Sequence, residues 1–214
     1  MVLTATTQCW GFIVGSSFFA MATIPGADGL IDAGLANLLC FIGAWFFTAA
    51  GLIQFRRSGG IWEHGSSGRR ALSASWLTAA TQSVGTIMFN VSTFFALFVT
   101  SARADERVVW SPDAGGSVAF LVSGCFAFVA YAQSGRPWDS SNRDWWSTLI
   151  NFAGCVAFGV SAVGAFVWVD GDDFSGMLAS GGTFVGALCF LMAAVVALPA
   201  WAEARESRSI WSTP

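Results

Sequence analysis

Residues 33–55 read AGLANLLCFIGAWFFTAAGLIQF, a stretch without a charged side chain, preceded by Asp32 and followed by Arg56 and Arg57. A helix rises ~1.5 Å per residue, and a hydrocarbon core of ~30 Å takes about 20 residues to cross. In lipid the backbone has to pair its own polar groups, so the stretch reads as a helix. Strand hairpins of a membrane barrel would be shorter and would alternate polar with apolar, which this stretch does not.

Five similar runs lie on either side of it, at 1–27, 71–102, 114–138, 145–169 and 174–202, and only Arg136, near the end of 114–138, interrupts them. Each is long enough to span. One such run fits a soluble core; six in succession predict an all-α, polytopic transmembrane bundle of six helices. The first run lacks the Arg or Lys that a signal peptide carries ahead of its apolar part. It is therefore read as a retained helix that ends at Pro25-Gly26.

Composition agrees. The chain is 55% hydrophobic and 11% charged, with a mean hydropathy of +0.62, against about 25% charged in soluble domains. One membrane domain, 1–214, accounts for the whole. Every basic residue is Arg, which excludes Schiff-base chemistry, retinal attachment included. The net charge of -3 leaves no basic stripe for nucleic acid.

The segments between runs alternate in charge. Arg56, Arg57, Arg69 and Arg70, then Arg136 and Arg143, then Arg205 and Arg208 fall on one side. The intervening loops carry Asp28 and Asp32, then a cluster from Arg103 to Asp113, then Asp170, Asp172 and Asp173. With eight of ten Arg on one side, the positive-inside rule puts that side and both termini in the cytoplasm of a cell inner membrane. Trp residues near run ends, such as Trp62, Trp76, Trp138 and Trp168, fit interfacial belts.

Each run also contains a Gly followed four residues later by Phe. The first helices of three successive hairpins have Gly15/Phe19, Gly85/Phe89 and Gly154/Phe158. The second helices have Gly43/Phe47, Gly124/Phe128 and Gly186/Phe190. The register recurs at about seventy residues: Trp76 and Trp145 precede their Gly by nine, Gln82 and Asn151 by three. Fixed-period similarity marks a duplicated unit. The repeats are about 4–57, 71–136 and 144–204, three helical hairpins in parallel orientation. Gly lets helix backbones approach, and Phe one turn on lies on the same face, so the motif reads as helix packing.

The stretches Gly15-Ser16-Ser17-Phe18-Phe19 and Ile42–Phe47 (IGAWFF), with Val84–Ser92 (VGTIMFNVS) and Cys155–Ala162 (CVAFGVSA), resemble the signature of the YrhK-like domain. That family is a two-helix bacterial membrane module, found in actinobacterial integral membrane proteins. The resemblance covers nearly the whole chain through a short motif; Ser after Gly stands only at Ser16, with Thr86 and Cys155 elsewhere. It implies the hairpin fold and supplies no active site.

Catalytic groups are sparse. His64 is the single histidine and falls in a Gly/Ser-rich connecting segment, so membrane haem, with axial ligands in the bilayer, is not expected. Cys9, Cys40, Cys125, Cys155 and Cys189 form no C-x-x-C pair and read as small hydrophobes, with no metal site. The Asp170, Asp172 and Asp173 triplet reads as a solvated turn. The acids all fall outside the runs, which argues against intramembrane proteolysis and ion coupling. Neutral amides remain inside: Gln82, Asn90 and Asn151, with Asn37, Gln54 and Gln133. They read as interhelical glue or as polar lining of a pocket between the hairpins.

The expected function is therefore non-enzymatic and needs no cofactor. The chain is a scaffold or accessory subunit, in contact with membrane lipids and with other membrane subunits or itself. The alternative is a transporter or channel for a small neutral or lipidic solute through a pocket between the hairpins. A filled centre with no polar cavity would remove that alternative.

Overall fold

The computed structural model describes residues 4–26, 31–64, 70–133, 137–166 and 174–199. Asp28, Arg69, Arg136, Trp168, Asp170, Asp172, Asp173, Arg205 and Arg208 lie outside them.

The described residues form an all-α bundle. The long helices are α1 (Ala5–Ala22), α2 (Ala33–Arg57), α3 (Ala74–Phe95), α5 (Ser111–Gln133), α6 (Arg143–Gly164) and α7 (Gly176–Ala197). A single turn, α4 (Ala102–Asp105), and a π turn, Glu106–Trp110, lead straight into α5. Polar caps explain most of the starts. Thr4, Asp32, Ser73, Asn142 and Ser175 each accept a hydrogen bond from a first-turn backbone N–H with their side chains.

Four helices are long and apolar enough to cross a membrane: α2, 103–133, α6 and α7. Six such spans were expected. In α1 and α3, Ser, Thr and Gln dilute the hydropathy, because those side chains face inward: Ser16, Gln82, Ser83 and Thr86 are all buried. The outward face of α3 is apolar, with Val84 and Ile87 half exposed.

Two connections differ from the sequence reading. Segment 56–70, read as a plain loop, contains a small antiparallel hairpin, β1 (Trp62–His64) on β2 (Arg70–Leu72), with Glu63 opposite Ala71. The cluster from Arg103 to Asp113, read as a loop, is helical, so this helix starts eleven or more residues early. Charge marked a boundary that the backbone does not observe. Pro112 cannot donate to a preceding carbonyl, and the π turn sits just before it, with the Ser111 hydroxyl donating to Glu106 O at 2.7 Å.

The long helices close a ring. Each hairpin's two helices pack most closely on each other (α1 on α2, α3 on α5, α6 on α7). The hairpins join through α2 on α3 and α5 on α6, and α7 returns to α1. Polar side chains stitch these seams: the Thr48 hydroxyl donates to Thr86 O at 3.3 Å, and the Ser117 hydroxyl to Phe158 O at 3.2 Å.

Within each hairpin, two glycines meet. A Cβ on Gly15 would lie 2.9 Å from Gly43 O, one on Gly85 3.1 Å from Gly116 O, and one on Gly154 3.2 Å from Gly186 O. The second helix pair, α3 with α5, therefore uses Gly116, not Gly124. Phe120, one turn on, enters the core with Phe19, Phe47, Phe89, Phe158 and Phe190. Gly124 packs elsewhere, with its Cβ direction 2.6 Å from the ring of Phe152 on α6, and Phe128 pairs with that same ring. Both Gly116/Phe120 and Gly124/Phe128 have the i, i+4 spacing. The helix begins far enough upstream that its middle falls at Gly116.

Candidate functional site

The six phenylalanines meet on the ring axis, each 2–5% exposed. Phe19, Phe89 and Phe158, all from first helices, form an edge-to-face triangle with centroids 5.4–6.4 Å apart and interplanar angles of 85–89°. Phe47, Phe120 and Phe190, from the second helices, form the adjoining tier, with Phe190 5.6 Å from Phe47 and 5.7 Å from Phe120. Such T-shaped contacts are favoured by the ring quadrupoles. The space between these rings has no volume that a water molecule could occupy.

A cavity lies on either side of this plug. The basal cavity, of about 170 Å³, is lined by the beginnings of α1, α3 and α6 and the ends of α2, α5 and α7. Gln8, Thr78 and Ser147 line it, each seven residues before its seam glycine, as do Phe12, Gln82 and Asn151, each three before. Gln54, Ala127 and Ala197 stand eleven after theirs. Gln82 is 3% exposed and has no hydrogen-bond partner among the described residues, so its amide is spent on nothing but the cavity. Asn151 makes one long contact, Nδ2 to the Cys155 sulfur at 3.9 Å. The hydroxyls are used differently: Thr78, Ser123 and Ser147 donate to backbone carbonyls of Ala74, Thr78 and Ala193. Their lone pairs remain free to accept.

The apical cavity, of about 390 Å³, lies at the opposite ends of the same helices. Its floor is the Phe19, Phe89 and Phe158 triangle. Cys40, Asp113 and Thr183 line it, each three residues before its seam glycine, with Asn37, Trp110 and Ser180 six before. Asp105 also lines it. The expectation that no acid sits within the bundle therefore fails. The helix that carries Asp113 extends past it, and the side chain falls on the face that points to the axis.

Of the expected pocket amides, the structure brings Gln82 and Asn151 to one cavity. Asn90 lies on the α2–α3 seam, where its Nδ2 donates to the Thr48 hydroxyl and its Oδ1 is buried without a partner. Asn37 donates to Ala96 O at 2.9 Å from the wall of the apical cavity. Sequence reading missed Gly116, Phe120, Asp105 and Asp113. A usable signal existed for the first two. Gly43 follows Gly15 by 28 positions and Gly186 follows Gly154 by 32, whereas Gly116 follows Gly85 by 31 and Gly124 by 39.

Among the described residues, no group of three or more His, Cys, Asp or Glu could hold a metal ion. The five cysteines are free thiols. No family model matches the chain, and no curated protein or solved structure is significantly similar to it.

Proposed function

We propose that this chain is an integral membrane protein that passes a small solute along the axis of its helical ring, without catalysis. One observation carries the reading: two polar cavities face each other across a dry plug of six phenylalanines, and all three hairpins line both. A scaffold has no use for an unpartnered glutamine buried at its centre. Polar groups are expensive in the membrane interior and mark solute pathways, and hydrophobic constrictions gate pores by excluding water.

Membrane insertion is supported by the outer surface. Trp45, Ile87, Val118, Val163 and Val185 are each at least half exposed, while Ser16, Thr86, Ser117 and Ser123 are fully buried. That inversion of the soluble pattern suits lipid. With the arginine-rich connections in the cytoplasm, the basal cavity faces in and the apical cavity faces out. The reading of three duplicated two-helix modules is supported by the common offsets of the lining residues.

The test is reconstitution of the full chain in liposomes, with flux of small solutes followed by stopped-flow light scattering. Phe158 contacts four of the other five plug rings. Phe158→Ala should raise flux, and flux equal to protein-free vesicles for both forms would remove the pathway. Stable recovery of a second membrane protein with such an inactive chain would favour the accessory-subunit reading.

A further inference from the structure

We propose that the apical cavity binds a small organic monocation, an ammonium head with short apolar substituents, with Asp113 as its counter-charge. This rests on the pathway reading and names the chemical class of its solute.

Charge is the first argument. Asp113 and Asp105 line the cavity, and among the described residues no Arg, Lys or His does. At the same tier the other hairpins present Cys40 and Thr183, so Asp113 is the single carboxyl of its tier. It has no hydrogen-bond or ion-pair partner among the described residues. A carboxylate enclosed by helices calls for a cation, because removing it from water unpaired is costly.

The hydrogen-bonding capacity of the lining points the same way. Ser92 is 5% exposed and lines this cavity, and its hydroxyl has no partner among the described residues. Thr23, Thr93 and Ser161 have already committed their protons, to Phe19 O at 2.9 Å, Phe89 O at 2.7 Å and Ala179 O at 2.7 Å. What these three hydroxyls offer inward are lone pairs, while that of Ser92 can turn to accept from a guest as well as donate. Such a wall takes up a donor-bearing or positively charged guest and gives little to an anion.

Aromatic rings decide between an organic and an inorganic cation. Phe19, Phe89 and Phe158 form the floor, and Trp110 stands in the wall with its indole N–H donated to Ala162 O at 2.8 Å. Rings attract an ammonium through their quadrupoles and pack its methyl groups. They cannot replace the hydration shell of a sodium ion. The volume, about 390 Å³, suits a compact organic guest.

The experiment uses the full chain in lipid nanodiscs, with Trp fluorescence and calorimetry as readouts. Choline is the probe, 3,3-dimethyl-1-butanol its uncharged isostere, and NaCl the inorganic competitor. Choline should bind at least about tenfold more tightly than the isostere. Asp113→Asn should weaken choline at least about tenfold, Asp113→Glu only a few-fold, and Val118→Leu on the outward face not at all. Equal affinity for the isostere, sodium competing as well as choline, unaltered binding in Asp113→Asn, or no choline binding would each overturn the proposal. The isostere comparison needs no variant, so it stands should Asp113→Asn fail to fold. Choline uptake into proteoliposomes is measured in parallel. Binding without uptake upholds the cation site and removes the pathway, whereas flux of a neutral solute without choline binding does the reverse.

Discussion

The two cavities are built from the same offsets, yet they differ in chemistry. Three residues before the seam glycine stand Phe12, Gln82 and Asn151 on the first helices, and Cys40, Asp113 and Thr183 on the second. Paired helices run in opposite directions, so one offset leads to the basal end on the first helix and to the apical end on the second. A glycine, the phenylalanine one turn on and the residue three before thus shape two cavities and the plug between them. What separates the cavities is the residue type at that offset: two amides and a phenylalanine below, a carboxyl, a thiol and a hydroxyl above.

The largest effect should come from removing the partition itself. Phe158→Ala deletes a ring that touches Phe19, Phe89, Phe120 and Phe190 and should destabilise the bundle by about 3–5 kcal/mol. Thermal unfolding in detergent would show this beside the increase in flux. An unchanged unfolding temperature would mean that the plug is not packed as described.

Next comes a change to the apical wall alone. A Cβ on Gly182 would meet Ser161 N at 2.7 Å and Ala157 O at 2.8 Å, both backbone atoms that cannot step aside. Gly182→Ala should force α7 off α6 beside Ser161 and Thr183 and cost about 1–3 kcal/mol. Its neighbour Gly181 has nothing within 4 Å of a Cβ. Gly181→Ala should be neutral or stabilise by up to about 1 kcal/mol through helix propensity. Equal behaviour of the two variants would contradict the seam.

A change confined to the basal cavity should be gentler on the fold. Gln82 has no partner to lose, so Gln82→Leu should shift stability by less than about 1 kcal/mol, because no internal hydrogen bond is broken. It should nonetheless lower flux, since the cavity loses its buried amide. Asn90→Leu is the contrasting case on the α2–α3 seam. It should cost about 1 kcal/mol through the lost bond to Thr48 and leave both cavities their lining. A drop in flux for Asn90→Leu as large as that for Gln82→Leu would remove the distinction between glue and lining.

Much of this architecture is legible in the residues. The alternation of charge-poor runs with polar breaks locates the long helices, since lipid and backbone hydrogen bonding leave few options. The Gly-Phe spacing locates five of the six places where Phe enters the plug. Where the reading slips, charge is the cause. Arg103, Asp105, Glu106 and Arg107 look like a loop, but a helix tolerates them near an interface, and the shifted start moves the motif from Gly124 to Gly116. The fate of an amide is not legible either. Gln82 and Asn90 sit eight residues apart on α3, and only their angular positions on the helix send one to the axis and the other to a seam.

Sequence by itself determined the number of long helices and five of the six glycines at their close contacts, because these follow from local composition and spacing along one chain. Closure of α7 onto α1, the two cavities and the placing of Asp113 on the axis were decided only in three dimensions. Those features depend on which faces of distant helices meet, and a linear pattern records a face's period but not its partner.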